Sequence, residues 1–508
     1  MATLSFQQFP FGGGFHGYGS NDPGGAYNAQ YWSPVLDSQD AINVYPEPQA
    51  GPDAPMALIG TPGYTLYQTY GSGPIRALFA GNGKLFVVSG PAVYQTVIGG
   101  PTTNLGSIGT LTGPCQILAN GNDIIIVDSL GGQIYWTNSG PITNPFAGFF
   151  AEYMDTFYVA LSATVTNQVN VSNSLDGSTW PALDYAVRTG VVDFLTGVAA
   201  INGQLWLLGQ KNTEVWYDAG NAIFPFQRIQ GATINVGCMA RFSIAKMDNT
   251  IFWLGADDRG FPVVYRANGL QPQRISTPAV ERYIASTGVY AETGVSPSLA
   301  RAFAYSEGGH NFYVLNFPGY PSVVYDSTTG LWHRRAWWNS SSSEFQSPLV
   351  WTFCSMPATI GATYTPFNLV GSNLNGNVYY QSLLNPADAD GSAIRRVRTC
   401  PHVSNSNRWV RYRRFELDAD ILNASTGNQS SGSVTLDYSN DGGRSFENGT
   451  PSFTLAPSGA GGQGTFQKYY QMNLGRSRKR VFRVTYSSST DLVRFAGAYV
   501  DANPGTEP

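Results

Sequence analysis

Charge is what this sequence has least of. Only 12% of its 508 residues are charged, about half the share in an ordinary soluble domain, which is about 25%. The cations are 24 arginines and only 5 lysines, and the formal net charge is −4. That balance argues against a protein whose main task is to bind nucleic acid. The aromatic share of 13% excludes a disordered chain, because disordered chains are poor in aromatic residues.

Cysteine and histidine are scarce as well. The four cysteines, Cys115, Cys238, Cys354 and Cys400, lie far apart with no C-x-x-C pair, which excludes the usual zinc sites and predicts isolated buried thiols. No H-x-x-x-H pair and no phosphate-binding G-x-x-x-x-G-K-[ST] motif occurs. We therefore expect no metal, no cofactor and no enzyme activity.

Long apolar segments are missing too. No stretch approaches the roughly 18 residues that a membrane-spanning helix needs, so we expect no membrane span. The opening residues have neither the basic nor the apolar region of a signal peptide. We expect a protein that is made and used without export through a secretion pathway.

Glycine and proline are abundant, at 58 and 31 residues, and together they favour turns over helices. Between residues 74 and 390 a unit of three short apolar strands recurs roughly every 35–60 residues, close to the spacing of propeller blades. We expect type I′ turns at Asn82-Gly83, Asn120-Gly121, Asn202-Gly203, Asp248-Asn249 and Gly308-Gly309. The pattern predicts an all-β chain with a β-propeller of six or seven blades. A pair of β-sandwiches is the alternative.

The two ends of the chain differ from this middle. Residues 1–73 contain no lysine or arginine, and their many aromatics predict an extended N-terminal arm lying on other subunits or on its own chain. Residues 391–508 hold 15 basic and 9 acidic residues, a balance of +6, and predict a C-terminal β-sandwich-like domain. A short helix is predicted where Thr277 can cap, Pro278 can open and Glu281 can stabilise the first turn.

Two basic clusters in the C-terminal part are the candidate assembly interface. In the segment around Trp409, strand alternation places Arg411 and Arg413 on one face. Pairing with an acidic neighbour, a solvated sheet face and contact with phosphate are the three interpretations. The clusters comprise Arg395, Arg396, Arg398, Arg408, Arg411, Arg413 and Arg414, and then Arg476, Arg478, Lys479, Arg480 and Arg483.

Tryptophans and a turn motif complete the candidates. Trp332, Trp337 and Trp338 would form a propeller core, a subunit interface or a platform for sugar. Residues 439–446 match the Asp-box pattern S-x-D-x-G-x-[ST]-[WF], and residues 174–180 nearly match it. We interpret both as structural hairpin turns, in which the aspartate binds backbone N–H groups across the loop.

Several segments in order resemble the tail nozzle proteins of short-tailed bacteriophages, also called tail hub or packaged-DNA-stabilisation proteins. They include NVYPEP, LIGTPGYTLYQTYGSGPIRALFAGNGKLFVVSG, GVAAINGQLWLLGQKNTEVWYDAG and the stretch ending in QRISTPAVE. The resemblance covers most of residues 43–290 and returns weakly at LDYSNDGGRSF and RVFRVTY. Residues 1–42 and 340–390 are outside it.

The resemblance implies a structural virion protein without catalytic residues, located in the tail and assembled in the host cytoplasm as a homo-hexamer. It would meet the head-to-tail adaptor protein, a tail fibre or tailspike, and a tail needle or plug. Double-stranded DNA would be retained by its channel and then conducted through it without sequence-specific binding. The alternative is a glycan-binding or glycan-cleaving propeller of a receptor-binding tail protein.

Overall fold

A computed structural model describes residues 7–8, 39–48, 56–81, 83–97, 100–188, 190, 193–286, 296–356, 359–360, 363–364, 367–404, 407–443, 445–446, 452–458 and 467–504. Strands dominate them. One α-helix, α1 (Pro278–Ser286), and the short 3-10 helices Arg241–Ser243 and Pro297–Leu299 are the helices of these ranges. None of the helices seen there has the length and apolar character needed to cross a bilayer.

Seven groups of four antiparallel strands, named blades 1 to 7, are built from the described strands. Six of them are separate sheets, and blade 6 is part of a ten-stranded sheet. Blades 1 to 3 consist of Ile75–Gly81, Lys84–Ser89, Ala92–Val97, Thr102–Ser107; Cys115–Ala119, Ile124–Asp128, Gln133–Thr137, Thr143–Phe146; and Gly148–Met154, Phe157–Ser162, Gln168–Val171, Tyr185–Val187. Blades 4 and 5 consist of Leu195–Ile201, Gln204–Gly209, Thr213–Asp218, Phe226–Ile234; and Ala245–Met247, Thr250–Ala256, Pro262–Asn268, Gln271–Arg274. Blades 6 and 7 consist of Arg301–Glu307, His310–Phe317, Tyr320–Asp326, Leu331–Arg335; and Val350–Met356, Phe367–Ser372, Asn377–Ser382, Gly63–Thr69.

The blades close into a ring. The first strand of each blade contacts the first strand of the next or the strand beside it, and Val350–Met356 of blade 7 contacts Ile75–Gly81 of blade 1. The outer strand of blade 7 comes from the N-terminal part of the chain, since Gly63–Thr69 pairs with Asn377–Ser382 from Gly63↔Ser382 to Thr69↔Asn377. The predicted propeller is confirmed, with seven blades among the described residues.

Apolar clusters fill the space between neighbouring blades. Blades 1 and 2 share Phe86 and Ile126, and blades 4 and 5 share Trp206 and Trp253. These side chains are buried because alternate residues of each strand point to opposite faces of its sheet, and both faces are covered by a neighbouring blade. The core is therefore a series of layers around the ring.

The turn chemistry largely matches the sequence. Asn202-Gly203, Asp248-Asn249 and Gly308-Gly309 each have positive φ at both positions, as a type I′ turn requires. The expectation is wrong at Asn120-Gly121, where Gly121 alone of the two has positive φ. There the Asn120 side chain accepts hydrogen bonds from the N–H groups of Asn122 and Asp123, both at 2.8 Å, so a longer Asx turn replaces the two-residue turn. Asn82 lies outside the described residues.

A two-sheet β-sandwich is attached to the propeller. Its first sheet has the order Val44–Pro48, Met56–Gly60, Asp491–Pro504, Val410–Asn423, Gln467–Ser477, Pro457–Ser458, and Gln7–Gln8 pairs with Asp491–Pro504. Its second sheet has the order Asp40–Ile42, Ile394–Thr399, Lys479–Ser488, Val434–Ser439, Phe453–Leu455, and Val403–Ser404 pairs with Lys479–Ser488. Two further hairpins are Trp337–Asn339 with Glu344–Gln346 and Thr359–Ile360 with Thr363–Tyr364.

One short strand continues a sheet of the propeller into the sandwich. Asp40–Ile42 pairs antiparallel with Ile394–Thr399 and, through Ile42↔Arg334, parallel with the outer strand of blade 6. Blade 6 and the second sandwich sheet are therefore one continuous sheet. Of the predicted arm, residues 39–48 and 56–69 lie on the body of their own chain, while the aromatic residues of 9–32 lie outside the described residues.

Helix α1 follows blade 5 and precedes blade 6, as expected. In its first turn, the Val280 N–H donates a hydrogen bond to the Thr277 hydroxyl oxygen at 3.4 Å. Glu281 is buried and bonded to Arg274 and Ser276, and the face bearing Ile284 packs into the cluster between blades 5 and 6. The predicted cap, opening residue and buried face are all present.

Candidate assembly surface

The strand Val410–Asn423 presents the first basic cluster. Arg411 and Arg413 are exposed, whereas Tyr412 between them is buried. The register of this strand shifts against both neighbours between Tyr412 and Arg414. The shift is a β-bulge, and it turns two successive arginines, Arg413 and Arg414, to the outer face. The predicted alternation holds up to this bulge.

The second cluster reaches the same end of the same sheet. Arg476 lies directly opposite Arg411 in the register. The guanidinium carbons of Arg476 and Arg478 each lie 5.3 Å from the ring centre of Trp409, within the range of a cation–π contact. Two clusters that are about 65 residues apart in sequence thus form one surface. We call it the sandwich tip, and it consists of Arg408, Trp409, Arg411, Arg413, Arg476 and Arg478.

The sandwich tip has an excess of positive charge. Arg413 is the member with a carboxylate within 4.0 Å, since its Nε lies 3.8 Å from Asp501 Oδ2. Among the described residues no carboxylate comes that close to Arg408, Arg411, Arg476 or Arg478. A cationic surface with an aromatic at its centre has the composition that protein interfaces favour, rich in arginine and aromatics and poor in lysine.

Two members of the first cluster are internal and do not belong to a surface. Arg396 and Arg398 are 1% and 0% exposed. Burial lowers the pKa of Arg396 to about 10, and the Arg398 Nη groups donate to the Asp40 carbonyl at 3.3 Å and to Gln39 Oε1 at 2.9 Å. Arg398 thus holds the strand Asp40–Ile42 against the sandwich, and the Arg396 side chain lies against Gly60 and donates to the Ile394 carbonyl at 3.3 Å. The assignment of both arginines to an interface is corrected.

Two members of the second cluster, Arg480 and Arg483, are also internal and are not part of a surface. Arg480 is 1% exposed and lies between Tyr412 and Tyr438, 4.4 and 4.0 Å from their ring centres, and burial lowers its pKa. Arg483 is paired with Asp437 at 3.1 Å and covers Phe446. Internal aromatic and carboxylate partners account for both. Arg414, bonded to Glu416, and Lys479 are half-buried beside the tip.

The three tryptophans separate into a core and an edge position. Trp332 is 2% exposed and donates from Nε1 to the Ile275 carbonyl at 3.1 Å. Of its three interpretations the structure supports the propeller core, and its place among the interface candidates is corrected. Trp337 and Trp338 are half-buried at the blade 6 junction. Trp337 donates to Asp390 Oδ2 at 2.9 Å, and Arg395 covers the Trp338 ring at 4.1 Å.

Both Asp-box segments form turns. In the first, Asp441 Oδ1 accepts from the Ser445 N–H at 3.0 Å, Gly443 has φ +94°, and Phe446 is buried. In the second, Asp176 accepts from the Ser178 N–H at 2.8 Å. The structural interpretation of both segments is therefore confirmed.

Sequence reasoning missed a buried charged bridge between the arm and blade 6. His310 lies between Asp326, at 2.7 Å from Nδ1, and Glu47, at 2.6 Å from Nε2. Burial alone would lower the pKa of His310, but the hydrogen bonds to Asp326 and Glu47 raise it above 6.5. Glu47 and His310 are 263 residues apart, so no local signal relates them. Hydrogen bonds on both ring nitrogens make this histidine a link between chain segments.

Comparisons with known proteins place this geometry in a family. The family described as bacteriophage P22 Gp10, beta-propeller, matches residues 36–367, which is about two thirds of the chain and includes the closing strand and the blades up to the second strand of blade 7. No curated protein matches the chain.

Solved structures that match the chain do so with low sequence identity and low TM-scores. The N-terminal domain of Nup159 has 10% identity and a TM-score of 0.39, and the match covers 67% of this chain and 98% of that one. Virginiamycin B lyase from Staphylococcus aureus has 9% identity and a TM-score of 0.40, covering 63% and 99%. The Pan2 WD40 domain of Neurospora crassa has 9% identity and a TM-score of 0.35, covering 61% and 89%.

The family match and the fold agree with each other. The matched range begins just before the strand that joins the sandwich and ends at the start of the second strand of blade 7, so the family's β-propeller corresponds to the ring of blades. The chain belongs to the bacteriophage P22 Gp10 β-propeller family and is a structural protein of a phage tail.

Proposed function

We propose that the chain is the tail nozzle of a short-tailed phage, a homo-hexameric ring that forms the distal tail channel, retains packaged DNA and conducts it during ejection. In this proposal the ring docks the head-to-tail adaptor protein and a tail fibre or tailspike, meets a tail needle or plug, and has no enzyme activity. It would be assembled in the host cytoplasm. Family membership over residues 36–367 is the observation that carries the proposal.

The charge distribution supports a conduit. Each phosphate that a channel wall neutralises adds counterion-release affinity, and many such contacts would slow the passage of DNA. Residues 1–390 hold 14 basic and 24 acidic residues, a balance of −10, while the exposed arginines concentrate at the sandwich tip. We expect the channel wall to carry fewer lysines and arginines than acidic and neutral polar residues, with the tip away from it.

An obligate ring also needs large contacts between subunits. We expect each pair of neighbours to bury on the order of 2,000 Å² or more, as obligate assemblies do. The exposed apolar side chains of the propeller and the sandwich supply surface for such contacts.

Electron cryo-microscopy of the native particle tests the proposal. Density for six copies at the distal end of the tail, bordering the channel, is the expected result. A location elsewhere in the particle, or a channel lined by the sandwich tip, would contradict it. Incubation of the purified protein with host polysaccharide tests the absence of activity, because steady release of reducing ends would favour a glycan-cleaving propeller instead.

A further inference from the structure

Blades 3 and 4 carry an unusual number of exposed apolar side chains at one end. The strands of a blade are antiparallel, so the turn between its first two strands and the turn between its last two lie at the same end of the sheet. Leu175, in the second kind of turn, donates its N–H to the Thr156 carbonyl in the first kind at 2.8 Å. The exposed apolar residues at this end and on the adjoining outer strands are Leu175, Leu183, Tyr185, Val187, Tyr217 and Ile223.

Three of them, Leu183, Tyr185 and Val187, lie at a sheet edge. Tyr185–Val187 is the outer strand of blade 3 and pairs on one side with Gln168–Val171, and Leu183, just before it, is 75% exposed. An apolar edge strand is a site for association unless another chain covers it, and contiguous apolar surface marks interfaces. We therefore expect another polypeptide chain to cover this edge in the assembled state.

The apolar residues are accompanied by negative charge. Blades 3 and 4, residues 148–234, contain 7 acidic and 3 basic residues, a balance of −4. Asp155 is exposed, Asp184 and Asp218 are half-buried, and Asp155 lies in the turn beside Leu175. We call the apolar residues with these three aspartates the blade 3–4 rim. Its complement is a cationic surface that also offers apolar contact.

The sandwich tip has those properties and projects away from its own propeller. Asp420, nine residues from Arg411 along Val410–Asn423, lies roughly 30 Å from it at about 3.3 Å per residue. The Asp420 end lines a cavity together with Leu383 at the end of blade 7. Beside the tip, Tyr470 and Met472 are 44% and 43% exposed, so the arginines are next to apolar surface.

We infer that the sandwich tip of one subunit binds the blade 3–4 rim of a second copy of the chain. This inference rests on the proposed ring. A closed ring of identical chains needs two different, complementary surfaces on each chain. The sandwich leaves the propeller at blades 6 and 7, and blades 3 and 4 lie across the seven-blade ring from blade 7. Each subunit can thus offer its tip to one neighbour and its rim to another.

Charge reversal with mixing tests this contact. Arg411→Glu/Arg476→Glu makes the tip acidic, and Asp155→Lys/Asp184→Lys makes the rim basic. Each variant alone would face like with like, and we expect its self-association, measured by light scattering on the full-length chain, to weaken on the order of tenfold or more. Mixing the two variants restores opposite charges at every contact of a ring in which they alternate, so we expect the mixture to regain the wild-type mass.

Two controls separate the contact from general effects. Lys84→Glu/Arg259→Glu changes the net charge by −4, as the tip variant does, but outside both surfaces, and it should associate like the wild type. Arg411→Lys/Arg476→Lys keeps the charge and supplies amines, so a carbodiimide should couple them to aspartates of the rim between subunits, as mass spectrometry of the cross-linked peptides would report. Melting temperatures identify any variant that fails to fold.

Several results would overturn the contact. One is a wild-type chain that stays monomeric at about 100 µM and forms no such cross-links. The others are charge-reversed variants that assemble like the wild type, or a mixture of the two variants that does not regain the wild-type mass. If the wild type forms a ring that the reversals leave intact, the contact is wrong and the proposed nozzle stands. If microscopy places the chain elsewhere in the particle, the nozzle fails while the self-association result remains.

Discussion

Removing Arg76 should break a charged bridge between blades 1 and 2. The side chains of Arg76 and Asp128 are 1% and 0% exposed, and their charged atoms are 3.0 Å apart. Arg76 also donates to the carbonyls of Gly113, Gly90 and Thr110 at 2.7, 3.0 and 2.6 Å. In Arg76→Met the Asp128 carboxylate stays buried without its cation. Because a broken buried pair leaves an uncompensated charge, we expect a loss of about 3–5 kcal/mol in the free energy of unfolding.

Urea unfolding followed by tryptophan fluorescence measures this loss, with Arg259→Met as the matched control on an exposed arginine. Adding Asp128→Asn to Arg76→Met removes the orphaned charge and leaves an acceptor for Thr110, so the double variant should recover part of the stability. A loss below about 1 kcal/mol, the size expected of a surface pair, would refute the reasoning. A double variant with a lower free energy of unfolding than Arg76→Met alone would also refute it.

Three further predictions concern the links between chain segments. Because the folded pKa of His310 is raised above 6.5, its bridge contributes fully below about pH 6.5 and is lost as pH rises through the folded value; thermal melts should show a stability that falls with pH over that window in the wild type and a flatter profile in His310→Gln. A side chain at Gly63 would place its Cβ 2.4 Å from the carbonyl oxygens of Asn385 and Ala387, so Gly63→Val should lose about 2 kcal/mol or more and speed proteolysis of the opened ring, whereas Gly140→Val, with nothing within 4 Å, should do neither. The four cysteines are buried and free, and burial raises the pKa of each to about 12, so thiol reagents should label the native protein slowly and the urea-unfolded protein fully; fast native labelling would contradict their burial.

The inner three strands of most blades were predictable because their signals are local. Apolar alternation and two-residue turns such as Asn202-Gly203 act within a few residues. The outer strands were missed because they are short or exposed; in Thr102–Ser107, for example, Leu105 alone is buried. The first strand of blade 7, Val350–Met356, was missed as well, since its neighbour in the sheet, Phe367–Ser372, begins eleven residues after it ends.

The pairing of the N-terminal segment could not be predicted. Asp40 meets Arg334 and Thr399, about 300 and 360 residues away, and no composition signal encodes such a partner. The amino-acid composition of Asp40–Ile42 and Val44–Pro48 was equally compatible with an arm that lies on another subunit and with one that lies on its own chain. Their burial follows from tertiary packing alone.

The candidate site was predictable in location and only partly in membership. The clustering of basic residues identified the sandwich, and strand alternation placed Arg411 and Arg413 on one face without saying which face is exposed. Sequence could not separate them from Arg398 and Arg480, because a buried arginine is recognised by its partners, carbonyl oxygens for one and two tyrosine rings for the other. The apolar part of the blade 3–4 rim was missed because residue type alone does not distinguish an exposed leucine in a turn from a buried leucine in the core.

The strand Asp40–Ile42 also constrains the order of events during synthesis. It leaves the ribosome early, but its partners Ile394–Thr399 follow some 350 residues later, a delay of roughly 20–70 s at 5–20 residues per second. The sheet at Val44–Pro48 and Met56–Gly60 waits longer still, for Asp491–Pro504. A chain truncated before Asp491–Pro504 therefore lacks an interior strand of the first sheet and cannot complete the sandwich.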